Sequence, residues 1–265
     1  MEKAQIFPKK CPVCKTETNF VHNVFESKID ENAIWYYCPC GITFQSEFPS
    51  HSVYDSEYVK TYKEMKEGKA RQEYASRLYA PIIEETTYGR MMLDVGFTIS
   101  TTMDYFEKRG WIVWGIDCNK DIIGKGNIYQ GDFVTYDFQP HIDKTTLEAA
   151  IGKDAEVKRT FDLIWMSHVL SHFNDPIAAL EKAIDLLSYS GMIYISVPDI
   201  DFICKTGVPG YPHWNKREHY TLWTKRALVN VLEKLGMEII LSRRNFSSRF
   251  HTWYDVQILA QKKYF

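Results

Sequence analysis

From residue 88 onward the chain alternates between short, almost wholly apolar runs and longer mixed segments. The apolar runs are MMLDVG, IVWGID, FDLIWMS and MIYISV. Strands buried on both faces read this way. The segments between them, TTMDYFEKRG, LEAAIGKD and DPIAALEKAIDLLSYSG, are long enough for helices, and the alternation predicts a parallel sheet with helical crossovers. In the third segment Asp175 supplies a cap, Pro176 suits the first turn and Gly191 the stop. A loop-like stretch with Gly207, Pro209, Gly210 and Pro212 follows Pro198. TKRALVNVLEKLG predicts a further helix, capped by Thr224 and stopped at Gly236. The last two runs, MEIILSR and WYDVQILAQKK, read as strands; no helix-length segment separates them, so they can pair antiparallel.

Upstream the pattern differs. Residues 55–85 place Tyr58, Tyr62, Met65, Tyr74, Leu78 and Ile82 at helical spacing, with a break at Gly68 and with Pro81 kinking the helix or opening a new one. Residues 1–50 have little helical periodicity and read as short strands and turns. Three units result: a head over 1–50, a helical connector over 51–87 and an α/β domain over 88–265. No internal repeat or low-complexity segment is visible.

Composition narrows the function classes. Of the 265 residues 45% are hydrophobic and 25% charged, which excludes a wholly disordered chain. The net charge of −2 does not suggest a nucleic-acid binder. No apolar run approaches the ~18 residues of a membrane span, and the sequence starts without the apolar core of a secretory signal. A cytoplasmic protein that does not engage membranes is the expectation.

Four of the six cysteines fall between Cys11 and Cys40. Cys11-Pro-Val-Cys14 offers two thiolates from one knuckle, and Cys38-Pro-Cys40 can complete a tetrahedral zinc shell. The second pair is one residue tighter than usual, and His22 and His51 are possible substitutes. Free buried thiols are the plain alternative. The metal role is structural, because so small a head has too little core to fold alone.

Asp94 and Gly96 end the first apolar run, and Asp117 ends the second. In open α/β sheets ligands sit beyond the carboxyl ends of the strands, where a carboxylate can accept both hydroxyls of a ribose. Gly131-Asp132-Phe133 stands where the next strand should end and offers an acceptor and a ring to an adenine. These three signals in this order resemble the class I S-adenosylmethionine-dependent methyltransferases. Residues 161–172 are similar to that family's fourth strand and loop, and the resemblance covers roughly 88–262. It implies a Rossmann-like, seven-stranded methyltransferase sheet carrying a small zinc-binding head. It also implies a cofactor site of Asp94, Gly96, Phe97, Asp117, Cys118, Asp132, Phe133 and Ser167. The family's first turn usually carries three glycines; here, in Gly96-Phe97-Thr98-Ile99-Ser100, only the first remains. The GxGxxG of a dinucleotide site is absent.

Zinc head, Tyr-rich helix and methyltransferase fold together resemble a narrower group that includes sugar-nucleotide C-methyltransferases. Its Tyr-bearing segment is matched by Tyr58 and Tyr62, which with Tyr220 would line the substrate. Its His-Glu-His stretch is matched by Glu218 and His219, with Arg217 in place of the first histidine. The resemblance makes His219 the candidate base, oriented by Glu218, with His172 as the second candidate. The plain alternative is that both histidines only pack the loop. His168 sits nearer the strand tip.

From Lys205 to Arg249 nine Lys or Arg face only Glu218, Glu233 and Glu238, an excess of six. Such a stretch favours a diphosphate, a phosphorylated sugar or an RNA backbone, with a solvated basic face as the plain alternative. Together with the resemblance it implies a small anionic acceptor, a sugar nucleotide or other glycan precursor. A nucleic-acid substrate is possible but less favoured, since residues 1–50 have five Lys, no Arg and no fewer acidic residues. A non-catalytic scaffold with an altered cofactor turn is the third reading.

Overall fold

The computed structural model describes residues 8–18, 35–47, 60, 66–98, 101–119, 127–138, 160–201, 219–246 and 254–263. Among these, seven strands form one sheet: β5 (Met91–Val95), β6 (Ile112–Asp117), β7 (Asn127–Gln130), β8 (Phe161–Ser167), β9 (Leu187–Pro198), β11 (Met237–Phe246) and β12 (Tyr254–Lys262). Their spatial order is β11-β12-β9-β8-β5-β6-β7. The pairs from β7 to β9 are parallel, and β12 inserts antiparallel between β9 and β11. The antiparallel end follows from the direct β11–β12 connection.

Alternation along the strands divides the apolar side chains between two layers. Leu93, Val95, Ile164 and Met166 join one core with α3 (Pro176–Leu186) and α4 (Lys225–Lys234). Met92, Leu163 and Trp165 join the other with α1 (Lys66–Thr86) and α2 (Thr101–Glu107). Burial on both faces explains why the parallel strands read as continuous apolar runs.

The caps act as their residue types dictate. Asp175 Oδ1 accepts from the amides of Ile177 and Ala178, both at 3.1 Å, and Thr224 Oγ1 accepts from Ala227 at 3.0 Å. Gly191, expected to stop α3, does not. The helix ends at Leu186, Leu187 is already extended, and β9 begins there. Leu187 pairs with Phe161 and Ser188 Oγ donates to Asp162 at 2.7 Å, so sheet partners capture the chain early. Gly191 lies at the register shift instead, where a Cβ would come within 3.0 Å of Phe161 O. Neither Gly68 nor Pro81 breaks α1, which is a single helix with Pro81 on its exposed side. The expected helix at LEAAIGKD lies outside the described residues.

The head consists of the hairpin β1 (Lys9–Lys10) with β2 (Glu17–Thr18) and the hairpin β3 (Trp35–Cys38) with β4 (Ile42–Gln45). A third strand completes the second hairpin from far along the chain: β10 (Thr221–Trp223) pairs antiparallel with β4. Cys11, Tyr36, Cys38, Ile42 and Phe44 belong to the same core as Trp223, Leu228 and Leu93. The hairpin turn sits on the α4 cap, where Thr224 N donates to Gly41 O at 3.0 Å. Gly41 is required there: its φ is +94°, and a Cβ would lie 2.5 Å from Thr224 Oγ1.

Candidate functional site

The sheet order reverses between β5 and β8, and the crevice at such a switch point is where open α/β sheets hold ligands. Gly96 leaves β5 with φ +68°, and its amide donates to Ile116 O at 2.8 Å. A Cβ on Gly96 would meet Val169 Cγ2 at 2.6 Å. Thr98 follows with φ +30°, so a threonine takes the left-handed backbone that glycine usually supplies. Its Oγ1 donates to Gly96 O, and its amide to Asp117 Oδ2, each at 3.4 Å.

Asp117 Oδ1 accepts from Asn119 N at 2.9 Å. Its Oδ2 takes a long contact from Thr98 among the described residues, and retains a lone pair for a ligand hydroxyl. Burial raises the Asp117 pKa, and three backbone hydrogen bonds partly offset it. Asp94 is fully buried in β5; burial first, and the neighbouring Asp117 second, hold it well above the carboxylate range. Ser167 is half-buried at the end of β8. Asp132 is exposed beyond β7, and its Oδ1 accepts from Thr135 N at 3.0 Å and Thr135 Oγ1 at 3.2 Å.

Both aromatic candidates turn their rings into the core. Phe97 belongs to the core with Met103 and Val113, tight against Gly115. Only its backbone is left to face the crevice. The Phe133 ring is likewise buried, 6.0 Å from Phe138 and 6.1 Å from Phe173. Cys118 is exposed, with its thiol pushed up to about 11 by desolvation and by Asp117 and Asp132. It is a neutral neighbour of the crevice rather than a nucleophile.

The two candidate histidines meet. His172 ends a 3-10 turn (Leu170–His172) after β8, and His219 precedes β10. Their rings stand edge to face with centroids 4.8 Å apart. His172 N donates to Val169 O at 2.9 Å, so the pair is one short turn from the residue that lies against Gly96. Tyr220 N donates to Ser171 O at 2.8 Å and closes this arrangement from the other side. Burial, then Cys11, push the Tyr220 phenol up. Glu218, Tyr58 and Tyr62 lie outside the described residues, as does the stretch 202–218.

The four sulfurs of Cys11, Cys14, Cys38 and Cys40 all lie within 4.8 Å of one another. The Cys11–Cys40 and Cys14–Cys38 separations are 3.7 and 3.4 Å. A tetrahedron with Zn–S bonds of ~2.3 Å has edges of ~3.8 Å, so the set fits a tetrahedral cation of zinc's size. The tight Cys38-Pro-Cys40 spacing does not prevent convergence, because Gly41 turns the chain directly after it.

One polar group was missed by sequence reasoning. Asp255 at the start of β12 is fully buried, with Oδ2 3.1 Å from His168 Nε2 and 3.8 Å from Arg71 Nη1 on α1. Burial opposes its charge, but His168 and Arg71 outweigh it and hold the carboxyl below its ordinary value. The available signal was a lone aspartate inside the apolar run WYDVQILA. His168 has φ +57°, an uncommon backbone for a non-glycine residue. Nearby, Arg244 pairs with both Asp199 and Asp201. The basic excess counted along 205–249 is therefore reduced in space by two aspartates just outside that window.

The family model described as a methyltransferase domain matches residues 68–242. No curated protein sequence matches the chain. Among solved structures, 1,6-didemethyltoxoflavin-N1-methyltransferase from Burkholderia thailandensis, with bound 1,6-didemethyltoxoflavin and S-adenosylhomocysteine, aligns over 92% of this chain and 99% of its own. Its TM-score is 0.57 at 14% identity. The plantazolicin methyltransferase BpumL in complex with S-adenosylhomocysteine aligns over 80% and 93%, with a TM-score of 0.56 at 15% identity. An S-adenosylmethionine-dependent methyltransferase from Archaeoglobus fulgidus aligns over 78% and 100%, with a TM-score of 0.52 at 17% identity. At these identities the likeness is one of fold.

Proposed function

Since the chain belongs to the methyltransferase-domain family and is a class I S-adenosylmethionine-dependent enzyme, we propose that it methylates a small anionic acceptor, a sugar nucleotide or other glycan precursor. The observation that carries the reading is the His172–His219 pair, set one turn from Val169 where it lies against Gly96. S-adenosylmethionine, when bound, supplies a methyl group already activated on a sulfonium, so alignment gives much of the rate. Asp117 accepts the ribose hydroxyls through its lightly used Oδ2. Gly96, without a Cβ, takes the left-handed turn after β5 and leaves room for Val169 against it. Asp94 and Ser167 stand at the strand ends beside it, and Asp132, whose Oδ1 is taken by Thr135, would offer its second oxygen to the adenine.

On the acceptor side, His219 would take the acceptor's proton on an imidazole nitrogen as the acceptor bonds the methyl carbon and the sulfur–methyl bond breaks, its electron pair leaving with the neutral thioether, and His172 fixes the ring. Glu218 precedes it as a second polar group. Lys205, Lys216 and Arg217 precede His219 in the chain and favour an anionic acceptor, and Tyr220 stands at the edge of the pair. By the resemblance, Tyr58 and Tyr62 belong with the acceptor as well. The four thiolates hold a structural zinc, which takes no part in the chemical step.

The test is methyl transfer from labelled S-adenosylmethionine to a panel of sugar nucleotides and phosphorylated sugars. The account expects His219→Gln to lower turnover on the accepted substrate by about 10²–10⁴ while cofactor affinity is retained. Full turnover in that variant removes His219 from the mechanism.

A further inference from the structure

We propose that Gln45 of the cysteine head is a positioning residue for the histidine pair, so that filling of the four-thiol cluster sets how His219 faces His172. The inference rests on the reading of His219 as the acceptor's base.

His219 stands two residues before β10, whose strand partner among the described residues is β4 of the head. The pairing runs Thr221 with Phe44, Leu222 with Thr43 and Trp223 with Ile42. Beyond it the ladder is extended from Gln45: its amide donates to Tyr220 O at 3.0 Å, and its side-chain Nε2 donates to His219 O at 2.6 Å. A carboxamide thus takes the place of the next strand residue and fixes the peptide that carries the imidazole. From the other side, Tyr220 N is held by Ser171 O, next to His172. Gln45 and the 3-10 turn therefore clamp one short segment, and the clamp brings the rings to 4.8 Å.

The same hairpin bears the cluster. Cys38 ends β3, Cys40 lies in the turn, and β4 runs from that turn to Gln45. Three residues of strand, ~10 Å, separate Ile42 at the turn from Gln45. The four sulfurs meet at the turn of that hairpin, so a cation bound there would hold the turn from which β4 runs to Gln45. The metal then serves the reaction by geometry, at a distance from the bond that changes.

The test uses the full chain labelled with 15N-histidine, in the wild type, in Gln45→Leu and in the wild type stripped of metal by a chelator. The imidazole resonances of His172 and His219 are followed, with metal content and S-adenosylhomocysteine affinity measured alongside. In Gln45→Leu both imidazoles should shift and change their titration, while the metal stays bound and ligand affinity stays within about twofold. Stripping should shift the same resonances. Unchanged imidazole signals in a folded Gln45→Leu protein overturn the role of Gln45. Purified protein without metal, or stripping that leaves both imidazoles unmoved, overturns the link from cluster to pair. Loss of the base assignment would instead appear as full turnover in His219→Gln, with these spectral couplings intact.

Discussion

Thr98 adopts φ +30° on the cofactor turn, where a β-branched residue pays a conformational cost of about 1–3 kcal/mol. Glycine would relieve that strain but lose about 0.4–1 kcal/mol to the entropy of the unfolded chain. Stability therefore rises modestly, by about 1 kcal/mol. The larger consequence is at the ligand, since removing the Thr98 side chain opens the backbone to closer approach. Thr98→Gly is expected to raise the melting temperature slightly and to tighten S-adenosylhomocysteine binding, measured by calorimetry. A weaker-binding variant would mean that the threonine hydroxyl itself holds the ligand. At this scale the sequence was legible in part. Asp94, Gly96 and Asp117 were placed at strand ends by apolar runs that stop at a charge. The inward rings of Phe97 and Phe133 were not readable, because a residue next to a glycine turn can face either way and only Gly115 and Phe138 decide it.

Elements meet through the buried charges at the carboxyl edge of the sheet. Arg71 ties α1, and His168 ties β8, to Asp255 on β12, with side-chain exposures of 14%, 9% and 0%. Asp255→Asn keeps the shape but leaves Arg71 without its counter-charge, a change that costs about 3–5 kcal/mol in buried pairs. The folded pKa of Asp255 is depressed, so its contribution is complete above the unfolded value of about 3.9 and is lost as pH falls through the lower folded value. Denaturant unfolding from pH 7 to pH 3 should show the gap between wild type and variant narrowing below about pH 4. A gap that stays constant over that range would assign the loss to packing. Long, strongly patterned elements were visible in sequence, as β5, β6, β8 and β9 were. β7 has four residues and β10 three, too few for a period, and β10 exists because β4 offers it an edge. The end of α3 was likewise set by a partner, Phe161, rather than by the later glycine.

Over the whole molecule the chain is less divisible than its composition suggests. Head and α/β domain share a sheet edge through β10 and one continuous core that runs from Cys11 to Leu93. His172 and His219 were each named from local pattern, but their contact joins segments 47 positions apart and no local spacing foretells it. The same holds for Arg244, whose charge the window from 205 to 249 left unopposed and whose aspartates stand just before it. Among the described residues no helix is long and apolar enough to cross a membrane. What joins these parts is the crevice at the β5–β8 switch point, where we propose that Asp117 accepts the cofactor's ribose. Calorimetric titration of S-adenosylhomocysteine into the wild type and Asp117→Ala tests it most directly. The account predicts one binding event per chain in the wild type, weakened about 10- to 150-fold in the variant, as loss of about 1.5–3 kcal/mol of hydrogen bonds to a charged group requires. Equal affinity in the two proteins, or no binding to the wild type, would contradict it.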